Sequence, residues 1–237
     1  MLSRTPLTHP IKTLLVPQGM EYQAVCRGIK QTSANLEIIA IPVGIQPVTE
    51  FLTRWQQTTE FLNKLPMGLM VMGLGGSLSP KYRVGDVVLY RDCGDIQAKQ
   101  EQWYQCDAVL SELVFQGLGN QVFWGRGITS DRVICSAAEK RLLGQKYQGD
   151  VVDMEGMAVL KWCQGLGISL VMLRVISDNC QQNLPNLTAA FGENGGLQPL
   201  ILAGQMLKNP SNSIHLISSS LRSLRVLEKV AKNLFHC

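Results

Sequence analysis

Aromatic residues are scarce in this chain, at 6%, and charged residues are few, at 17%. So little charge beside 46% hydrophobic residues excludes intrinsic disorder, which needs the opposite balance. Glycine and proline number 22 and 10 in 237 residues and follow no period, which excludes a collagen-like or low-complexity chain. No apolar run approaches the roughly 20 residues of a membrane-spanning helix. The longest, Ile168 to Ile176, is interrupted by Ser169 and Arg174. Residues Met1 to Pro10 lack the apolar stretch of a secretory signal, so none is expected. Histidine occurs three times, and the seven cysteines (Cys26, Cys93, Cys106, Cys135, Cys163, Cys180, Cys237) include no Cys-x-x-Cys pair. Ligands at zinc-site spacing are therefore missing, and no metal or organic cofactor is implied. The cysteines read as reduced, mostly buried side chains of a cytoplasmic protein.

The net charge of +4 is concentrated. Between Gln205 and Cys237 lie Lys208, Arg222, Arg225, Lys229 and Lys232 against one acid, Glu228, so the remainder is neutral. A neutral body without interleaved basic and aromatic residues argues against nucleic-acid binding.

What the chain does contain is alternation. Short β-branched runs (Ile11 to Pro17, Leu36 to Val43, Met67 to Gly73, Val87 to Tyr90, Val122 to Thr129, Asp150 to Asp153, Ile168 to Ile176) read as strands. Between them lie helix patterns through Tyr22, Val25 and Ile29, then over Val48 to Leu62, Asp107 to Gln116, Ser136 to Gln145 and Glu155 to Leu166. Ser136 with Glu139 forms a capping-box pattern, and Gly165 and Gly167 stop the last of these helices. The alternation predicts an α/β fold: one domain over 1–237, with a central, mostly parallel or mixed sheet flanked by helices. Asn179 to Gly196, rich in Asn, Gln, Gly and Pro, is the expected long surface loop. About 214–235 forms an amphipathic C-terminal helix. Its basic residues fall within roughly 20–100° of Leu221, and Leu224, Val226, Leu227, Val230, Ala231 and Leu234 within roughly 140–300°. Such a helix docks on the sheet with a solvated basic face, or touches an anionic membrane surface.

Ligands of an open α/β sheet collect beyond the carboxyl ends of its strands. Four places qualify. Gly75 and Gly76, in Gly73-Leu-Gly-Gly-Ser-Leu-Ser-Pro80, allow backbone to approach a ligand, or form a tight structural turn. Asp153-Met154-Glu155-Gly156 offers a carboxylate that caps a helix or grips hydroxyl groups. Ser177 and Asp178 follow an apolar strand, and Arg174 within that strand needs a charged partner. Gly19-Met20-Glu21-Tyr22-Gln23 closes the first strand, in a turn also common without any ligand.

Gly75-Gly76-x-Leu78-x-Pro80 with Gly85-Asp86, then Asp153-Met154-Glu155-Gly156, then Arg174-x-Ile176-Ser177-Asp178, occur in one order along the chain. Together they resemble the nucleoside phosphorylase superfamily, in particular its methylthioadenosine/S-adenosylhomocysteine nucleosidases. Asn183-Leu184-Pro185 and Gly195-Gly196-Leu197-Gln198-Pro199 also look like the hopanoid-associated phosphorylases, thought to act on adenosyl-lipids. The resemblance implies cleavage of the bond between ribose C1′ and a purine nitrogen, on an adenosine-type and 5′-modified nucleoside. It implies that Asp178 is the acid at purine N7, a role that near neutral pH needs a raised pKa, obtainable by burial. Glu155 holds the ribose hydroxyls, Met154 packs on the sugar, and Val133 and Ile134 wall the base. The family's water-activating Glu falls on Gln23, with Glu21 two residues earlier. Gln cannot be a general base. Either Glu21 takes that role or phosphate is the co-substrate, and the balance leans to phosphate. Arg27, Arg91, Arg126 and Arg132 are its candidate donors; a phosphate-contacting serine of larger relatives falls on Leu74, near Ser77. A homo-oligomer is implied by the same analogy. A nucleoside-binding protein without catalysis is the third reading.

Overall fold

The computed structural model describes residues 10–63, 68–96, 102–185 and 210–236. Their elements run β1 (Thr13–Pro17), α1 (Met20–Ile29), β2 (Glu37–Ile41), α2 (Ile45–Trp55), α3 (Thr59–Asn63), β3 (Gly68–Ser77), β4 (Val87–Asp95) and β5 (Gln102–Gln105). They continue with α4 (Ala108–Leu118), β6 (Val122–Thr129), α5 (Ala137–Tyr147), β7 (Val151–Asp153), α6 (Gly156–Leu166), β8 (Ser169–Asp178) and α7 (Pro210–Phe235).

The strands make one mixed sheet. β2, β1, β3 and β8 lie parallel side by side, and so do β4, β6 and β7. Antiparallel pairing of β4 with β8 and of β3 with β7 joins the two groups. Within the sheet β3, β8, β4, β6 and β7 close a ring, and β1–β2 on one side and β5 on the other extend from it to the edges. β3 makes this possible by running on through its glycines to Ser77, where a turn after Gly73 was expected. A Cβ on Gly75 would lie 2.7 Å from Val151 Cγ1, so glycine is what lets β7 cross the end of β3.

Helices cover both faces. Along β8, Val171, Leu173 and Val175 face a core shared with α1, α4 and α7, while Leu170, Met172 and Ile176 face the α2, α3 and α6 side. This two-sided burial is what its continuous apolar run predicts. Arg174 shares the parity of the second set. The expected cap forms, with Ser136 Oγ accepting from Glu139 N–H at 3.3 Å; Asp107, the first residue of the helix expected over Asp107 to Gln116, also caps it, Oδ1 accepting from Leu110 N–H at 2.8 Å. The single helix expected over Val48 to Leu62 is two helices, α2 and α3, parted by a turn at residues 56–58. β5, an edge strand on β4, had no counterpart in the sequence reading.

α7 docks in the core. Leu224, Leu227, Val230, Ala231, Leu234 and Phe235 are buried, and Arg222, Arg225 and Lys229 stay exposed. Of the two roles expected for this helix, its apolar face serves packing. No helix among the described residues is long and apolar enough to cross a membrane. The expected loop is irregular over 179–185, and 186–196 lie outside the described residues.

Candidate active site

A cavity of about 640 Å³ opens where β1, β3, β7 and β8 end, a size suited to a small organic molecule. Its wall brings together Glu21, Gly75, Gly76, Val133, Ile134, Met154, Glu155, Ser177 and Asp178, residues drawn from five separate stretches of sequence. Gln23 is the exception: it is exposed on α1 and does not line the cavity. The α-helix begins at Met20, so Glu21 and Gln23 point some 200° apart around it. Of the two, Glu21 and not Gln23 is turned to the ligand space.

Glu21 Oε1 accepts the Leu74 N–H at 2.7 Å. Burial and the nearby Glu155 carboxylate raise Glu21 to about 8, with Arg174 and the Leu74 N–H acting in the other direction. Glu155 ends up at the N-terminus of α6, where Oε1 accepts the Gly44 N–H at 3.1 Å. Burial lifts it to about 7, against the pull of Arg174.

Behind these two acids lies a buried charge frame. Arg174 donates from Nε to Asp153 Oδ2 at 3.0 Å, and its Nη2 sits 3.7 Å from Glu155 Oε2. Neither terminal nitrogen of Arg174 has a hydrogen-bond partner. Burial disfavours the Arg174 charge, yet Asp153, Tyr90, Glu155 and Glu21 outweigh it and hold the guanidinium above its ordinary value. Asp153 is a brace: Oδ1 accepts from Thr129 Oγ1 at 2.7 Å and from Gly156 N–H at 3.0 Å, tying β6 and α6 to β7. Glu155 is thereby fixed on rigid elements.

At the other end, Asp178 is not the isolated acid that burial alone would make. Its Oδ1 accepts from Lys140 Nζ, and Oδ2 from Ser177 Oγ at 2.7 Å. A Cβ on Gly76 would lie 3.0 Å from Asp178 Oδ1, so the glycine gives this carboxylate its room. Lys140 is 1% exposed, lines the cavity, and also reaches the Asn179 carbonyl at 3.4 Å. The sequence reading missed it. The signal was obscured because α5 inverts the usual order, with Leu142 63% exposed and Lys140 inward. The same helix clamps the chain after β8: Arg141 Nη1 donates to the Cys180 carbonyl at 2.9 Å, and Asn183 Oδ1 accepts Ala137 N–H at 2.8 Å. The clamp brings Leu184 into the wall beside Val133 and Ile134. Ser220 and Leu224 of α7, also missed, complete it.

Of the four arginines considered as phosphate donors, only Arg132 lines the cavity, and it pairs with Glu139. Arg27 pairs with Glu228 at 2.9 Å on the α1–α7 seam. Arg126 pairs with Asp92 at 2.9 Å and lies over Trp103, and Arg91 lies over Trp124. Leu74 and not Ser77 reaches the cavity; Ser77 Oγ donates to the Ser79 carbonyl at 2.6 Å.

A family model, described as the phosphorylase superfamily, matches residues 55–197. The chain belongs to that superfamily. The matched span holds β3, Lys140, the Glu155 segment and Asp178, while Glu21 and α7 lie outside it. No protein of curated function matches the sequence. Among solved structures, futalosine hydrolase of Helicobacter pylori superposes with a TM-score of 0.69 at 16% identity, covering 96% of this chain and 98% of that one. The 5′-methylthioadenosine/S-adenosylhomocysteine nucleosidase of Campylobacter jejuni gives 0.65 at 16% identity, covering 94% and 98%. The corresponding H. pylori nucleosidase, solved with butyl-thio-DADMe-Immucillin-A, gives 0.64 at 16%, covering 93% and 97%. At such identity the likeness is one of fold: an α/β domain with a mixed sheet flanked by helices.

Proposed function

We propose that this member of the superfamily cleaves the N-glycosidic bond of a purine nucleoside and transfers the ribosyl group to water. The observation that carries the choice of water is Glu21, a carboxylate in the same cavity wall as Glu155 and Asp178 and the only α1 acid there. A residue at about 8 is a competent base near neutral pH. Phosphate, toward which the sequence leaned, finds poor support: three of its four candidate arginines are engaged elsewhere, and the fourth, Arg132, is paired with Glu139. The structural neighbours named as a hydrolase and nucleosidases agree with water.

In this reading Glu155 accepts hydrogen bonds from the ribose 2′- and 3′-hydroxyls, and Met154 packs on the sugar. Val133, Ile134 and Leu184 enclose the base. As the C1′–N9 bond breaks, its electron pair leaves with the base, and the pair Asp178 and Lys140 delivers a proton toward N7. Positive charge on the ribosyl ring is met by the Glu155 and Glu21 carboxylates, as in glycosidases. Water adds to C1′ and gives its proton to Glu21. Arg174 positions Glu155 and, through its charge, keeps both acids ionisable.

The test is free-base release from inosine, adenosine and methylthioadenosine, with and without phosphate, followed by chromatography. Release at the same rate without phosphate, with a free sugar as co-product, is expected. Release only with phosphate, yielding a ribose 1-phosphate, overturns water as the acceptor.

A further inference from the structure

Lys140 has a consequence for which purine the cavity takes. An ammonium has three donors and no acceptor. Asp178 Oδ1 and the Asn179 carbonyl take two of them, and Lys140 lines the cavity with its side chain wholly enclosed. Each Asp178 oxygen already accepts one hydrogen bond, from Lys140 or Ser177. The polar end of the base pocket therefore offers a surplus donor beside a carboxylate that is partly satisfied.

The two purine classes differ along the edge that faces such a group. A 6-oxopurine presents two acceptors, N7 and O6, whereas adenine presents the N7 acceptor beside an N6 amino donor. A carboxyl group alone complements adenine, giving a proton to N7 and accepting from N6. An ammonium fixed beside that carboxyl sets donor against donor. With a carbonyl at C6 the same ammonium gains an acceptor and stabilises the electron density that collects on the base as it leaves. We infer that this site prefers nucleosides of 6-oxopurines, of the hypoxanthine or guanine type, over the adenine type that the sequence motifs suggest, and that Lys140 is the residue responsible. The inference rests on the reading of Asp178 as the residue at the base.

Calorimetric binding of hypoxanthine and of adenine to the full chain tests it without requiring turnover. Hypoxanthine is expected to bind at least tenfold tighter, within the discrimination of one well-placed donor pair. Lys140→Met is expected to reduce that ratio to about twofold or less, with Lys140→Arg retaining a preference for hypoxanthine. Should Lys140→Met not fold, the ratio in the unaltered protein decides alone. Adenine binding equally or more tightly overturns the inference, as does the absence of binding by either base. The inference and the hydrolytic reading fail separately. Preference for hypoxanthine with no base released from any nucleoside removes the catalytic reading and leaves the pocket assignment. Base release with a preference for adenine does the reverse.

Discussion

Glu21→Gln exchanges a carboxyl held at about 8 for an amide of the same shape that cannot ionise. In the unfolded chain this carboxyl titrates near its ordinary 4.5. Between those two values the unfolded state binds fewer protons than the folded one, so folding stability falls as pH rises from about 4.5 to about 8. The stabilising contribution is complete below the lower value and gone above the upper. At about 1.4 kcal/mol for each pH unit between them, the ceiling on the penalty is about 5 kcal/mol. Part of Glu21 faces the cavity, and water entering there reduces the figure to about 2–4 kcal/mol. The amide keeps the Leu74 N–H bond through its carbonyl oxygen and is free of the penalty. For a chain of this length each kcal/mol moves Tm by about 2–4 °C. Thermal melts at pH 5 and pH 8.5 are the assay. The variant is expected to melt within about 2 °C of the unaltered protein at pH 5 and about 5–15 °C above it at pH 8.5. In the base-release assay at pH 7.5 it is expected to lose about 10²- to 10⁴-fold in kcat. A Tm difference that is the same at both pH values refutes the account of a desolvated carboxylate. A gain in Tm with undiminished release refutes the role of Glu21 as base.

Other outcomes follow from the same geometry. The kcat/KM of the unaltered protein is expected to climb from pH 6 and level off above about 8, as Glu21 ionises. Its apparent values belong to the Glu21–Glu155 pair, and a profile flat from pH 6 to 9 contradicts the assignment. Asp178→Asn is expected to lower base release by at least about 100-fold while nucleoside still binds, by calorimetry; retained release removes Asp178 from proton delivery. Gly28→Ala places a Cβ 2.3 Å from the Glu228 carbonyl and 3.0 Å from Ala231 Cβ. It is expected to cost about 1–3 kcal/mol in chemical denaturation, and an unchanged midpoint contradicts the tight α1–α7 seam.

β8 and the Glu155 segment were legible because their signals are local. An apolar run without polar alternation is a strand buried on both faces, and an acid at its end has few structural uses. The choice between Glu21 and Gln23 was not legible. Motif spacing selects Gln23, but the helix start at Met20 fixes the direction of each side chain, and that start depends on how β1 meets the sheet. The ring was hidden for a related reason. Hydrophobic period tells which faces are buried, not which strands pair, and Gly75 and Gly76 read as a turn until β7 is seen lying against them. Lys140 was hidden by burial of a charge, which only a partner 38 residues away makes tolerable. β5 escaped because Gln102-Trp103-Tyr104-Gln105 is an edge strand, half-exposed and too short to show a period.

The seating of α7 against α1 reaches beyond the folded state to the way the chain is made. Ala24, Val25 and Ile29 of α1 share a core with Leu227, Val230 and Ala231 of α7, yet nearly all of the domain is synthesised between them. Through that interval the nascent chain carries on α1 an apolar stripe whose α7 partner has not yet been made. Contacts of such long sequence separation form late and leave partly folded chains prone to self-association. Since Glu21 sits on α1 and Ser220 and Leu224 on α7, the cavity wall and this exposed stripe are completed by one and the same docking event.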